Sequence, residues 1–345
     1  MDLTIFLFLL QDGLTNGAIY ALLGLALVLV FSVTRVILIP QGEFVAFGGL
    51  AFALLATGKV PTLIYVSLGI SFAALALDLW SLRTNWRPTS VLRAMAWRMT
   101  VPILTALATL ALAGPQTPLL IDAVLALGMV APLGPSLYRI AFEPLAATSV
   151  LTLLIASVGV HLALEGLGLL IFGAEGFRAP ALSSAQITTG PLTISGQSVA
   201  IFAVTALVMA GLWVLFSRSL TGKALRATAI NRTGARLVGI SATRAGAQAF
   251  GIAATMGALS GILIAPVTTL YYDTGFIIGL KGFVAAILGA LTSFPLTVLA
   301  AGAVGLAESF TAFFASDFKD VVVFSLILPV LLIRSLRHAR AEDEE

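Results

Sequence analysis

The sequence contains no cysteine, which excludes disulfides and thiolate-held metal sites. Histidine occurs only as His161 and His338, and no H-E-x-x-H or G-x-S-x-G pattern is present. A membrane-embedded enzyme is therefore not expected. A phosphate-cradling G-x-x-x-x-G-K-[ST] loop is also missing: Gly222–Lys223 runs on to Ala224, and Gly58–Lys59 to Val60. If ATP drives this chain, another subunit must bind it, and no cofactor is expected on the chain itself. Charge is scarce. Asp, Glu, Lys and Arg make up 10% of the 345 residues, against about 25% in soluble domains. The start, MDLTIFLFLLQDG, lacks the basic region of a cleaved signal peptide. Met1 onward is expected to be retained.

What is there is hydrophobic: 59% of the residues. Apolar runs of about 17–25 residues, long enough for a bilayer, recur along the chain. The short alternating segments of a β-barrel do not. The fold class is an all-α polytopic membrane protein, a single transmembrane domain over 1–345. It has about 8–11 spans, depending on how short or broken segments are counted. The apolar segments lie near 14–33, 42–57, 62–79, 100–113, 119–134, 149–172, 199–216, 249–266, 282–291, 296–314 and 321–333. Leu3 to Leu10 is too short to span alone; it is either a surface helix or an extension of the first span. The net charge of +3 reflects Lys and Arg held in loops and does not point to nucleic acid.

One stretch orients the rest. Ser217–Gln248 carries Arg218, Lys223, Arg226, Arg232, Arg236 and Arg244 and no acidic residue. The positive-inside rule puts it in the cytoplasm. Alternation then places the N-terminus outside and the C-terminus inside. It gathers Arg35, Arg83, Arg87, Arg93, Arg98, Arg139, Arg334, Arg337 and Arg340 on the cytoplasmic side too, leaving Lys59, Arg178, Lys281 and Lys319 outside. The outer loop Gly173 to Gln197 is rich in Ser, Thr, Pro and Gly and suits a docking surface or a lid. The acidic tail Ala341–Glu345 reads as a solvated end.

Two stretches break the helical pattern. In Arg35–Gly49, Pro40 and Gly42 interrupt an apolar run and Glu43 follows. Asp273–Leu291 is short and glycine-broken. Interrupted segments in both halves of a transporter point to its substrate path, here Gln41, Gly42, Glu43, Lys281 and Gly282. QGEFVAFGGLA and LKGFVAAILGA form a weak internal match between them. Glu43 either faces a substrate ammonium, caps a half-helix, or lies at the inner interface beside Arg35. Lys281 meets a substrate carboxylate or anchors the interface. His161 and Glu165 are four apart and share a helix face. They are either the relay of a proton-coupled carrier or a buried pair joining helices. Glu308 is interfacial or substrate-facing. Asp122, near an outer border, is expected to be solvated. Gly251, Gly257 and Gly261 recur at near-helical spacing and read as packing positions.

GKALRATAINRTGARLVGI, residues 222–240, resembles the cytoplasmic coupling segment of branched-chain amino acid ABC transporter permeases, the inner-membrane component of binding-protein-dependent transport systems. The family pattern is approximately G-[RK]-A-[ML]-R-A-x-A-x-[ND]-x-x-x-A-x-L-x-G-[IV]. Gly222, Lys223, Ala224, Arg226, Ala227, Ala229, Asn231, Ala235, Leu237, Gly239 and Ile240 stand in its places. Stretches 13–37, 137–145, 154–167, 279–295 and 319–334 are similar to the family in the same order. The resemblance implies one of two permease subunits in a bacterial cytoplasmic membrane. It implies two cytoplasmic ATPases that hold the ATP, and a periplasmic or surface-tethered binding protein that delivers substrate. It makes Gly222, Lys223, Arg226, Asn231, Arg236 and Gly239 the seat of ATPase coupling.

Two departures stand out. The family's Asn-Phe-Ala-His-Gly-Glu run is here Leu38-Ile39-Pro40-Gln41-Gly42-Glu43. Only the glycine and glutamate survive, which opens the substrate beyond leucine, isoleucine and valine; the resemblance implies a branched-chain or related amino acid, or one of the amides and urea that the family also carries. Stretch 80–118 reads as an insertion with a basic cytoplasmic loop, RTNWRPTSVLRAMAWR, that meets lipid headgroups or a partner. A membrane scaffold without transport is a further rival. The orientation is checked by labelling. Ser219→Cys should react with a membrane-impermeant thiol reagent only from inside and Ser184→Cys only from outside; reaction of both from one side overturns the assignment.

Overall fold

The computed structural model describes residues 2–83, 88–189 and 192–332. The expectations on Arg87, Arg334, Arg337, His338, Arg340 and the acidic tail lie outside the described residues. Among the described residues, eight helical stretches are long and apolar enough to cross a membrane. They are α1 (Leu3–Thr34), α3 (Leu63–Leu82), α4 (Pro88–Leu112), the stretch Leu119–Phe142, α7 (Val150–Phe172), α8 (Gly196–Arg218), α11 (Ala242–Ile264) and α13 (Phe294–Phe314). Leu119–Phe142 is built of α5 (Leu119–Val130), α6 (Leu133–Leu137) and a π-helical turn, Tyr138–Phe142. Two apolar helices are shorter: α2 (Gln41–Ala56) and α12 (Thr274–Leu288).

Helix α1 is the axis of the bundle. Its 32 residues extend about 48 Å at 1.5 Å per residue, more than a bilayer core. Leu3–Leu10 is thus an extension of the first span. From Ile19 to Val30 every residue is buried, packed by α11, α12 and α13. A helix apolar all round belongs in a core, and this sequence offers no polar face. By contrast α7 and α8 leave most of their surface outward, with Leu151, Leu170, Leu207 and Trp213 exposed.

Helices α2 and α12 both begin inside the bundle. The Gln41 side-chain amide donates to the Ala253 carbonyl at 3.0 Å, halfway along α11. The first turns of α2 and α12 meet at Gly42 and Gly275, where a Cβ on Gly42 would stand 2.5 Å from the Gly275 carbonyl oxygen. From this crossing α2 climbs along Ala258 and Gly261 of α11, while α12 descends past Leu23 to Thr297. A long helix, a linker and a half-helix thus occur twice, as α1–α2 and α11–α12. The sequence match is out of step with this: Gln41 opens α2, whereas Lys281 lies in the middle of α12.

Three expectations change. Asp122 is not solvated; it is 1% exposed, and neither carboxylate oxygen has a hydrogen-bond partner among the described residues. The fold is not wholly α: β1 (Gln186–Thr189) and β2 (Leu192–Ser195) form an antiparallel hairpin in the Gly173–Gln197 loop. Of the basic stretch at 83–98, residues 88–98 are helix, because α4 starts at Pro88, where proline suits a first helical turn. Gly251, Gly257 and Gly261 do pack against other helices, meeting Pro135, Phe44 and Val45 respectively. A Cβ at Gly261 would stand 2.0 Å from the Val45 carbonyl oxygen, whereas one at Gly159 meets open space. Gly261→Ala should therefore destabilise the protein by about 1–3 kcal/mol and Gly159→Ala hardly at all. Thermal unfolding in detergent reads the difference; equal midpoints refute the close packing of α2 on α11.

Candidate functional site

The sequence-selected polar residues fall into two buried clusters and one exposed cap. The first cluster lies where α2 begins. Glu43, in the first turn of α2, is 2% exposed and lies 2.6 Å from Nδ1 of His161 on α7. His161 Nε2 is 3.8 Å from Glu165, so the nearer partner of His161 is Glu43, from another helix. The imidazole stacks on Phe276 of α12 with centroids 4.5 Å apart. Ser157, one turn earlier on α7, donates to the Ile37 carbonyl at 2.7 Å and accepts from the Ile39 amide at 3.0 Å. The proline-broken linker before α2 is thereby tied to α7. A carboxylate in a helix's first turn also meets the positive end of the helix dipole.

The second cluster surrounds Lys281 on α12. Its ammonium donates to Glu308 of α13 and lies 3.0 Å from Asp320. Asp320 belongs to α14 (Lys319–Ser325), and Tyr20 of α1 donates to the other Glu308 oxygen. Lys281 and Glu308 are both buried. Lys281 therefore neither reaches a headgroup as an anchor nor points a free charge at a substrate. Neighbouring Gly282 serves close packing, since its missing Cβ makes room for Leu23 of α1.

The exposed cap is the basic stretch 217–248. It forms α9 (Leu220–Ile230) and α10 (Arg232–Leu237), laid between α8 and α11. Three side-chain caps start the helices here: Ser219 accepts from Gly222, Asn231 from Gly234 and Ser241 from Arg244. Gly222 lets α9 fold back against the Leu215 carbonyl, which a Cβ would approach to 2.0 Å. Gly239 ends the segment at φ +84°, which strains other residues. Lys223, Arg226 and Arg236 are exposed, and between them stand bare aliphatics: Leu237 is 84% exposed and Val238 76%. Arg226 also borders an apolar groove of about 710 Å³ between α1, α8, α9 and α13.

A third charged group escaped the sequence reading. Asp78 of α3 accepts from Arg98 Nε at 2.9 Å and from Arg139 Nε at 2.6 Å. Arg139 also donates to Glu143 at 2.9 Å. Burial pushes the Glu143 carboxyl up, and Arg139 opposes the shift. Asp78 in an apolar run was the available signal. Among the described residues, no three His, Asp or Glu side chains are placed to hold a metal ion.

Comparison with known proteins fits this arrangement. Residues 94–331 match the family described as branched-chain amino acid transport system, permease component. The chain belongs to that family. It is 28% identical over 338 residues to the high-affinity branched-chain amino acid transport system permease protein LivH of Escherichia coli K12, covering 95% of this chain and 94% of the relative. It is 32% identical over 208 residues to the corresponding protein BraD of Pseudomonas aeruginosa, covering 58% of this chain and 68% of the relative. No solved structure matches the chain. It is a multi-pass permease component of the bacterial inner membrane. The rival reading of a proton-coupled carrier finds no support: the relatives are permease components of transport systems, and the proposed relay partner Glu165 is the more distant of the two His161 contacts.

The Glu43–His161 pair can be weighed directly. Glu43→Ala should cost about 3–5 kcal/mol, because it strands a buried partner. Glu43→Ala with His161→Ala should cost less than the sum of the singles, with a coupling of about 1–3 kcal/mol. Unfolding in detergent measures all four proteins; additive losses refute the clasp.

Proposed function

We propose that this chain is one permease subunit of an ABC importer for branched-chain or closely related amino acids. It pairs with a second permease subunit. Two cytoplasmic ATPases dock on α9–α10 and supply the ATP-driven step; the chain has no ATPase site of its own and binds no cofactor. A periplasmic or surface-tethered binding protein delivers substrate at the opposite end, beside the β1–β2 hairpin. The observation that carries this reading is the cap. Leu237 and Val238 stand exposed beside Arg236, with Arg226 and Lys223 on the preceding helix. Exposed aliphatics ringed by charge mark a surface that a protein covers. An orienting loop that met only headgroups would need the charge alone.

The mechanism follows from what the cap touches. Leu225 of α9 is fully buried, and α9 packs on α1, α8 and α11. Through α10 and the Ser241 cap it is continuous with α11. A push on α9 therefore reaches α1 and α11, the helices that hold α2 and α12 by glycine contacts. The groove of about 710 Å³ beside α9 gives it room to shift. Movement of α1 and α11 resets the crossing at Gly42 and Gly275, which lies on the substrate path in this reading together with Gln41, Glu43 and Gly282.

The test uses the assembled transporter in proteoliposomes. Arg226→Ala with Gly239→Ala should lower leucine uptake by at least about tenfold, equivalent to losing about 1.4 kcal/mol of coupling, while membrane insertion stays intact. Basal ATP hydrolysis should persist without stimulation by the loaded binding protein. Normal uptake in this variant removes the coupling assignment. Uptake by the chain alone under a pH gradient removes the importer reading, and uptake of urea or amides but not leucine removes the substrate class.

A further inference from the structure

At the end of the bundle that carries α9–α10, the last turn of α3, the start of α4, the π-helical turn and the start of α11 border an open cavity of about 580 Å³ with charged side chains in its lining. Arg93, Arg98, Arg139 and Arg244 line it, against two carboxylates, Asp78 and Glu143. Both carboxylates are engaged, Asp78 by Arg98 and Arg139, Glu143 by Arg139. Arg93 and Arg244 are exposed and have no acidic partner among the described residues. The cavity thus keeps two uncompensated cations.

Two apolar troughs adjoin it. One, about 320 Å³, runs between α4 and α11 over Pro135; the other, about 470 Å³, runs between α8 and α11. Trp97 lines all three spaces. Arg98 is shared between the cavity and the first trough, Gln248 between the cavity and the second. Trp97 and Trp80 are exposed at this level, and Arg83 lies over the Trp80 ring at 4.3 Å. Tryptophan beside arginine at the end of spans is the pattern of the membrane–water interface. Beyond it, Val101, Leu104 and Leu107 face outward along α4.

A cationic head cavity that continues into two apolar troughs has the charge order of a two-chain anionic lipid. We propose that Arg93, Arg244 and Trp97 form a binding site for one anionic glycerophospholipid of the leaflet at this end, its phosphate at the arginines and its acyl chains on either side of the indole. Charge complementarity selects the occupant: a zwitterionic headgroup brings an ammonium where two cations already stand, and a soluble protein segment does not reach troughs that run along the spans. The basic stretch at 83–98 then has a defined task. Because Arg244 and Gln248 lie in the first turns of α11, directly after the coupling stretch, the bound lipid braces α4 against the helix that carries the ATPase-driven movement. That consequence rests on the function proposed above; the lipid site itself does not.

The experiment is native mass spectrometry of the delipidated full chain in detergent, titrated with phosphatidylglycerol or with phosphatidylcholine of the same acyl chains. Wild type should hold phosphatidylglycerol at least about tenfold more tightly, because basic residues near the bilayer surface attract anionic lipid. Arg93→Ala with Arg244→Ala should abolish that preference and leave phosphatidylcholine retention unchanged. Arg93→Lys with Arg244→Lys should keep it, and Trp97→Ala should weaken both lipids. Excess inorganic phosphate should not displace phosphatidylglycerol; displacement makes this a free-phosphate site and overturns the lipid assignment. Equal retention of the two lipids by wild type, or an unchanged preference in the alanine double variant, also overturns it. So does an Arg93→Cys thiol that a partner subunit shields from reagent in the delipidated assembled transporter.

Discussion

A charge held in an apolar interior needs a partner, and that requirement organises this bundle. Three ionic groups join helices that hydrophobic packing alone joins weakly; Asp122 stands apart, with no partner among the described residues. Glu43 and His161 fasten α7 to α2. Lys281, Glu308, Tyr20 and Asp320 bind four helices at one point. Asp78 gathers α3, α4 and the π-helical turn through two arginines. Lipid is as apolar as leucine, so helices in a bilayer gain little from burying leucine against each other. Polar contacts and close packing must supply register. The inner line of α7 illustrates this: among buried Leu153, Leu164 and Phe172, Ser157, His161 and Gly168 meet the core through hydrogen bonds, a stacked ring and a close approach.

Close packing does the other half. Around α1 the helices meet with glycine on one or both sides, so backbones approach within the width of a side chain. This makes α1, α2, α11, α12 and α13 a close-packed set in which each helix passes its displacement to the next, because an interior at crystal-like density transmits displacement. The peripheral helices differ, with polar clasps and exposed outer faces. On the proposed reading, a coupling segment that rests on α1 and α11, as α9 does, is attached to this close-packed set. One that rested on α7 would move only the periphery.

The sequence was legible where composition and local chemistry decide structure. The apolar runs located the spans, and Pro40 with Gly42 marked the broken second span. The glycines at 251, 257 and 261 were readable as contacts but not their partners, because partners are set by tertiary packing. The same limit applied to charge. His161 and Glu165 share a helix face, and spacing alone favours them as a pair; the nearer partner, Glu43, lies 118 residues away. Asp122 sits near a span border, where solvation is the simple expectation, yet α2, α4 and α11 pack on its helix. The stretch at 83–98 looked like a loop because its charges masked helical spacing that Pro88 begins. The short hairpin in the 173–197 loop rests on four-residue strands, too brief to announce themselves.

The pairing of charges also bears on selectivity. An amino acid substrate carries an ammonium and a carboxylate, and the sequence offered Glu43 and Lys281 as their counterparts. In the folded chain Glu43 is engaged by His161, and Lys281 by Glu308 and Asp320. Either residue could bind substrate only by surrendering a buried partner, and stranding a buried charge costs about 3–5 kcal/mol. That cost cancels most of what a new ion pair returns. The permease interior is therefore built to hold its own helices, not to grip a zwitterion, and a weakly binding path suits passage. On the proposed reading, discrimination between aliphatic amino acids falls to the binding protein that delivers them, and the departure at Leu38–Gln41 alters the fit of α2 to its neighbours more than it alters a binding pocket.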